Sequence, residues 1–305
     1  LEVVSALLSE KYKLETVVDH EGEKKMTAGF VLLIVIIVLA ILFLYCIRPN
    51  TSRRQEMAVF EKQYIAHRGL FDNENGIPEN SIPAFKRAVD QGYGIELDVQ
   101  LTMDHKLVVF HDESLRRLCR ADRLLRDCTY AELQEYSLGI SRERIPLFED
   151  VLKVVDGKVP LIVEVKPEGN WKETTKVMAE IMDGYSGCYC MESFHPLAVE
   201  WFRKNRPAVI RGQLSTNFFL DEPRRKWSEK FILTNLLLNF KARPDFIAFN
   251  HIWSGSLAYT LCRKIYDVEN VGWTIRNQDE LERAKGIFQV IIFDSFVPDE
   301  KKNVK

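Results

Sequence analysis

From position 64 onward, short apolar runs rich in β-branched residues alternate with longer stretches whose apolar residues recur every three or four positions. The short runs fall at 64–66, 95–99, 107–110, 161–165, 188–193, 209–214, 246–249, 271–274 and 290–293. Helical periodicity occupies 81–91, 130–136, 148–155, 172–183, 196–205, 256–266 and 279–286. Strands that alternate with helices predict a parallel sheet covered on both faces. Nine strands are one too many for the eight-stranded barrel this alternation suggests. The connection from Leu101 to Lys106 is also too short for a parallel crossover. The run 107–110 is therefore expected to turn back as a hairpin arm on the strand before it. The eight that remain predict an α/β fold, a TIM (β/α)8 barrel, with its active site at the C-terminal ends of the strands.

Ahead of this pattern lies an uninterrupted apolar run from Ala28 to Ile47. As a helix it would be about 30 Å long, the thickness of a bilayer core. No small-residue cleavage site closes it, since Leu44-Tyr45-Cys46-Ile47 stands there. The expected organisation is an N-terminal tail over 1–27, a single uncleaved transmembrane helix over 28–47, a linker over 48–63 and the barrel over 64–305. Met26 sits directly before the apolar run, and residues 1–25 are read as upstream sequence with Met26 as the start. Arg48, Arg53, Arg54 and Lys62 follow the span. With that start, the excess of positive charge places the barrel on the cytoplasmic side.

Composition adds little that is specific. The chain has 305 residues, 46% hydrophobic and 28% charged, with a formal net charge of −2. Neither bulk charge nor an aromatic-basic patch argues for nucleic acid, which is not expected as a partner. The six cysteines are scattered without a CxxC pattern, so they read as free thiols in a reducing compartment.

The chemistry collects at the predicted strand ends. His67 ends the first strand, Glu96 and Asp98 alternate along the second, and His111 ends the hairpin arm. Glu164 and Lys166 repeat the alternation on the strand at 161–165. Three carboxylates meeting in a barrel mouth would repel one another unless a cation joins them. All-oxygen ligation suits one divalent cation, Mg²⁺ or Ca²⁺. Ion pairing of the same carboxylates with Arg68 and Lys166 is the competing reading. His67 and His111 could divide general acid and base duties between them, and Arg68 and Lys166 are natural phosphate partners. Glu79-Asn80-Ser81 precedes a helix, so capping and a place in the site are both open to Asn80 and Ser81.

These segments resemble the glycerophosphodiester phosphodiesterase family. The resemblance runs through Ile65-Ala66-His67-Arg68-Gly69, Pro78-Glu79-Asn80-Ser81, Ile95-Glu96-Leu97-Asp98-Val99 and Val108-Val109-Phe110-His111-Asp112. It continues through Ile145-Pro146-Leu147, Glu164-Val165-Lys166, Ser193-Phe194 and Gly272-Trp273-Thr274. It implies a TIM barrel and a metal-dependent phosphodiesterase. His67 and His111 would be the acid/base pair, and Glu96, Asp98 and Glu164 the metal ligands. Arg68 and Lys166 would bind the phosphate, Glu79 would position substrate or metal shell, and Trp273 would line the pocket. The implied reaction yields an alcohol and glycerol 3-phosphate. A lysophospholipase D acting on lysophospholipids, or a non-catalytic module that binds phosphate headgroups, are the alternatives.

Three places depart from the family pattern: Leu118-Cys119-Arg120-Ala121-Asp122-Arg123 after the second histidine, Arg276, and Phe293-Asp294-Ser295-Phe296. These departures bear on substrate selection more than on the metal core. The stretch from Phe218 to Trp227, with Arg224, Arg225 and Lys226, is open to two readings, membrane contact or packing on the barrel. The apolar stretch that follows, 232–240, is read as a helix packed on the sheet.

Overall fold

The computed structural model describes residues 2–300, the side chains of 2–23 and 26 excepted. The reading of residues 1–25 as upstream sequence therefore rests mostly on side chains outside the described residues.

The nine strands are β1 (Ile65–His67), β2 (Gly94–Leu101), β3 (Leu107–Val109), β4 (Leu161–Val165), β5 (Tyr189–Ser193), β6 (Ile210–Ser215), β7 (Phe246–Asn250), β8 (Glu269–Ile275) and β9 (Val290–Phe293). Eight of them run parallel, and β1 pairs with both β2 and β9, which closes the barrel. β3 lies antiparallel on β2 through Val99↔Val109, Gln100↔Val108 and Leu101↔Leu107, the hairpin arm that its short connection requires.

Side-chain alternation divides the bore by height. Low in the barrel, Ile65, Ile162, Cys190, Ile210, Phe246 and Val290 belong to one apolar cluster. One step further along the same strands stand His67, Glu96, Glu164 and Glu192. The lower layer drives closure by burying aliphatic surface, and the polar layer is carried at the mouth. Cys190 is buried and Cys188 exposed, and all six cysteines are free thiols.

Residues 48–63 do more than link. Arg53 donates to the carbonyls of Pro207 and Val209 at 2.9 and 3.1 Å, beneath β6. Asn50 donates from its backbone to Pro244 at 2.8 Å and from its side chain to Asp245 at 2.6 Å. A helix, Arg54–Glu61, then sets Met57 and Phe60, fully buried, against Ile65 and Ile162 in the lower cluster. The stretch is a base plate for the barrel. Its apolar signal in the sequence is only the four residues Met57–Phe60, which hides it among charges. The chain from Ile47 onward forms one compact unit and the preceding helix another. That helix spans Glu2–Ile47, and within it the 21 residues Thr27–Ile47, whose most apolar 18-residue window has mean hydropathy 3.5, are long and apolar enough to cross a membrane.

Candidate active site

Parallel pairing of β1 with β2 places His67 opposite Glu96. Arg68 and Gly69 both turn through the left-handed region, with φ of 56° and 80°. At Gly69 a Cβ would lie 2.9 Å from the Ala84 carbonyl carbon, so only glycine lets the loop fold back on the helix Ile82–Gln91. The turn aims the Arg68 amide at Glu96 Oε2, 3.1 Å away. Ser81 caps that helix by accepting from the Ala84 amide. Asn80 takes the other role, donating from Nδ2 to Asp98 Oδ2 at 2.8 Å.

Strand register builds a row of acids. Asp98 pairs with Glu164 across β2 and β4, and Glu164 with Glu192 across β4 and β5. Glu96, Asp98 and Glu164 each bring an oxygen within 4.8 Å of the others, all buried. Lys166 Nζ stands 2.9 Å from Glu164 and 3.4 Å from Asp98, and Arg68 Nε is 3.5 Å from Asp98. Ion pairing and a cation site thus coexist in one cluster. Burial, only partly offset by Lys166, pushes Glu164 up to about 7. Burial and the neighbouring Asp98 and Glu164 raise Glu96 well above the usual carboxylate range. Asp98 also feels its burial, but Lys166, His111 and Arg68 outweigh it and hold the group low. The two lysine and arginine charges leave the cluster short of positive charge. Asp98 Oδ1 and Glu164 Oε1 are buried, and both face the single ammonium of Lys166. Three hard oxygen donors with free lone pairs fit a divalent cation.

Both histidines are gripped from behind. His67 Nδ1 lies 2.7 Å from Asp294 Oδ2, and His111 Nδ1 lies 2.7 Å from Asp112 Oδ1. Each pair orients its ring and leaves Nε2 for chemistry. Burial and Arg68 lower the His67 pKa against the opposing pull of Asp294. Arg117 joins the two sides of the site. It donates to Glu79 at 2.8 and 2.7 Å and to Asp112 at 2.6 and 3.1 Å, while Arg68 donates to Glu79 at 2.6 Å. Glu79 is buried, but its two arginine partners bring it down to about 2.

A cavity of about 120 Å³ opens over the cluster, with His67, Arg68, His111, Glu192, Phe194 and Trp273 among its walls. Glu79 and Lys166 do not line it; they hold the charged residues that do. Phe194 stands edge-on to Trp273 at 5.6 Å.

The glycerophosphoryl diester phosphodiesterase family matches residues 67–240. This chain belongs to that family. Phosphoric diester hydrolysis is the chemistry that comes with it, and the family depends on a divalent metal. A Bacillus subtilis protein named a putative glycerophosphodiester phosphodiesterase is 34% identical over 223 residues, covering 70% of this chain and 86% of its own length. A lysophospholipase D of Homo sapiens is 30% identical over 281 residues, covering 79% and 86%. The glycerophosphodiester phosphodiesterase of Caldanaerobacter subterraneus is 44% identical over 110 residues, a match that spans 44% of its length. Among solved structures, a phosphodiesterase of Oleispira antarctica in complex with the product sn-glycerol-3-phosphate superposes with a TM-score of 0.61 at 22% identity. That match covers 76% of this chain and 93% of the other. At that identity it supports the TIM barrel fold, as expected from the strand–helix alternation.

Within this phosphodiesterase fold, the nine residues expected at the site all gather at one end of the barrel. Sequence reasoning missed Asp294 and Arg117, which hold them, and Glu192, which lines the cavity; for Asn80 the bond to Asp98 decides between the two roles the sequence left open. Asp294 and Arg117 lie in or beside stretches that depart from the family pattern. Asp112 follows His111 directly, and an aspartate beside a histidine was the available signal. Glu192 ends the alternation Cys190-x-Glu192 on β5, the same pattern that exposed Glu96-x-Asp98.

Proposed function

We propose that the chain is a membrane-anchored enzyme that hydrolyses glycerophosphodiesters to an alcohol and glycerol 3-phosphate. The observation that carries this reading is the meeting of the buried triad Glu96, Asp98 and Glu164 with two aspartate-held histidines in one cavity. A divalent cation, Mg²⁺ or Ca²⁺, held by the triad would supply positive charge beside the phosphate. Arg68, fixed by Glu79, presents donors to a phosphate oxygen. Lys166 helps keep Asp98 charged, partly offsets the burial of Glu164, and adds positive potential beneath the phosphate. One histidine takes the proton from the attacking oxygen, that of water or of a neighbouring hydroxyl of the substrate glycerol, and the other gives a proton to the departing alcohol; where the glycerol hydroxyl attacks, water then opens the cyclic phosphate to glycerol 3-phosphate. Trp273 and Phe194 bound the pocket for the organic part of the substrate.

A lysophospholipase D activity is the second reading. It is supported by the human relative and by the aromatic wall of the cavity, which suits an apolar substrate tail. The helix Thr27–Ile47 would be a single-pass anchor, with the barrel on the cytoplasmic side according to the positive charges after it.

The test uses the full chain in detergent micelles with Mg²⁺, Ca²⁺ or EDTA. Choline release is measured from glycerophosphocholine and from lysophosphatidylcholine in parallel. Metal-dependent turnover of the soluble diester, lost in His67→Ala, is the expected result. Turnover of the lysophospholipid alone moves the assignment to lysophospholipase D. Headgroup binding without turnover returns the non-catalytic module.

A further inference from the structure

We infer that the flank of the barrel built by the connections after β6 and β7 is a bilayer-facing surface for anionic lipid. Its aromatic tip, Trp227 and Phe231, sits among the headgroups. After β6 the chain leaves the mouth through the short helix Phe218–Asp221 and then the helix Trp227–Thr234, which buries none of its residues fully. Trp227 is 68% exposed and Leu220 60%. Trp227 stacks on Phe231 at 5.3 Å with the rings 6° apart, and Phe219 meets it edge-on at 6.2 Å. Asp221 ties this excursion to the next one, accepting from Trp253 Nε1 at 3.1 Å and Asn250 Nδ2 at 3.3 Å. Ile252, in that second loop, is 63% exposed. The two loops are therefore one rim.

The outer helices before and after β7, Asn239–Ala242 and Leu257–Tyr266, carry exposed Phe240, Leu257 and Ile265. The strip Ile47–Asn50 docks there too: Asn239 Nδ2 donates to the Ile47 carbonyl at 3.1 Å, and the Asn50 amide to Pro244 at 2.8 Å. Charge follows the apolar residues. Between 221 and 266 the sequence has eight Lys or Arg and four Asp or Glu, in a chain whose net charge is −2. Exposed aromatics among basic residues suit an anionic membrane surface, where rings occupy the headgroup level and cations meet lipid phosphate. A bilayer is selected over a protein partner because the docked strip begins at Ile47, the last residue of the apolar segment Thr27–Ile47.

The rim also connects inward. Phe218 is fully buried, so it is not part of the contact surface. It stands edge-on to Phe194 at 6.0 Å, and Phe194 to Trp273 at 5.6 Å, on the cavity wall. A lipid-phase phosphodiester brought to the rim would reach a cavity whose wall includes the rings of Phe194 and Trp273. This use of the surface rests on the phosphodiesterase reading; the contact with lipid does not.

The test reconstitutes the full chain into vesicles with brominated acyl chains, of phosphatidylcholine alone or mixed with phosphatidylglycerol. Bromine quenches tryptophan emission at short range, and Trp227 is one of five tryptophans. Wild type should be quenched more in the mixed vesicles, and Trp227→Phe should lose most of the quenchable emission. Arg224→Glu with Lys226→Glu should remove the dependence on phosphatidylglycerol. In Trp227→Phe, turnover of soluble glycerophosphocholine should be unchanged while turnover of lysophospholipid in vesicles falls. Equal quenching in wild type and Trp227→Phe overturns the proposal. So does Trp227-dependent cross-linking into dimers without quenching, which would give the face to a second copy. Quenching as expected with no turnover of any diester upholds the surface and rejects the enzymatic reading.

Discussion

Arg117 and Glu79 form a two-pronged ion pair, with both oxygens of the carboxylate accepting from the guanidinium at 2.7 and 2.8 Å. The same guanidinium holds Asp112, the partner of His111, and the same carboxylate holds Arg68. One side chain thus sets the spacing between Arg68 and His111, the residues proposed for phosphate binding and for acid/base work. Arg117→Ala is expected to lower kcat by about 10- to 100-fold, the usual cost of losing a group that orients a catalytic or metal-bound residue. Lysine at 117 restores the charge but not the forked geometry, so it should recover only part of the loss. Asp112→Asn combined with Arg117→Ala should cost less than the two separate losses multiplied, because both act on His111. Steady-state rates on glycerophosphocholine check each value. Multiplicative losses would show that Arg117 acts independently of His111.

Asn80 offers a test confined to the metal. Its Nδ2 bonds Asp98, while its own backbone is held left-handed at φ 55° by a bond to the Arg68 carbonyl. Asn80→Ala should weaken Mg²⁺ or Ca²⁺ binding by about 10- to 100-fold, read by calorimetric titration. Activity should return at raised metal concentration. Glu164→Gln removes a ligand charge and should not be rescued in the same range.

The sequence carried the barrel and its acids because each rests on a short period. Alternation along one strand puts Glu96 and Asp98 on the same face, and a six-residue connection forces β3 to reverse. The supporting groups had no such pattern. Arg117 reaches the site from the short helix Arg116–Cys119 and Asp294 from just past the end of β9, and only tertiary closure brings Asp294 beside His67, across the junction of the last strand with the first. The base plate was hidden for a related reason. Arg54–Glu61 is one short helix whose two buried residues, Met57 and Phe60, sit among Arg, Glu and Gln. No amphipathic signal of that length separates a linker from a plug.

Phe60 measures what the base plate contributes. It is fully buried against the lower apolar layer. Phe60→Ala should cost about 3–5 kcal/mol, the usual range for emptying a buried aromatic site. That corresponds to a fall in melting temperature of roughly 10 °C for a domain of this size. Thermal melting of the full chain in detergent reads it. A chain begun at Tyr64 should be aggregation-prone, since it would open the lower layer of the bore to water. A soluble, native-like melt from such a chain would show that the barrel closes without its base.

Glu269 gives the barrel a pH dependence of known sign. It begins β8 at the base, buried, with Arg54 Nε 3.2 Å away. Burial, reinforced by Glu61 and opposed by Arg54, raises its pKa from 4.5 to about 7. Below the unfolded value the carboxyl is protonated in both states, and its full contribution to stability is present. As pH rises from there, the unfolded chain releases a proton that the folded barrel keeps. Stability therefore falls with rising pH until the folded group also ionises near 7. The shift sets an upper limit of about 3 kcal/mol on the total change. Glu269→Gln cannot ionise and should lose this dependence. With metal saturating, so that the acidic triad stays ligated, the melting temperature of wild type relative to Glu269→Gln should drop between pH 5 and pH 8. A difference that is flat, or that rises, over that interval would mean that Arg54 keeps Glu269 ionised throughout.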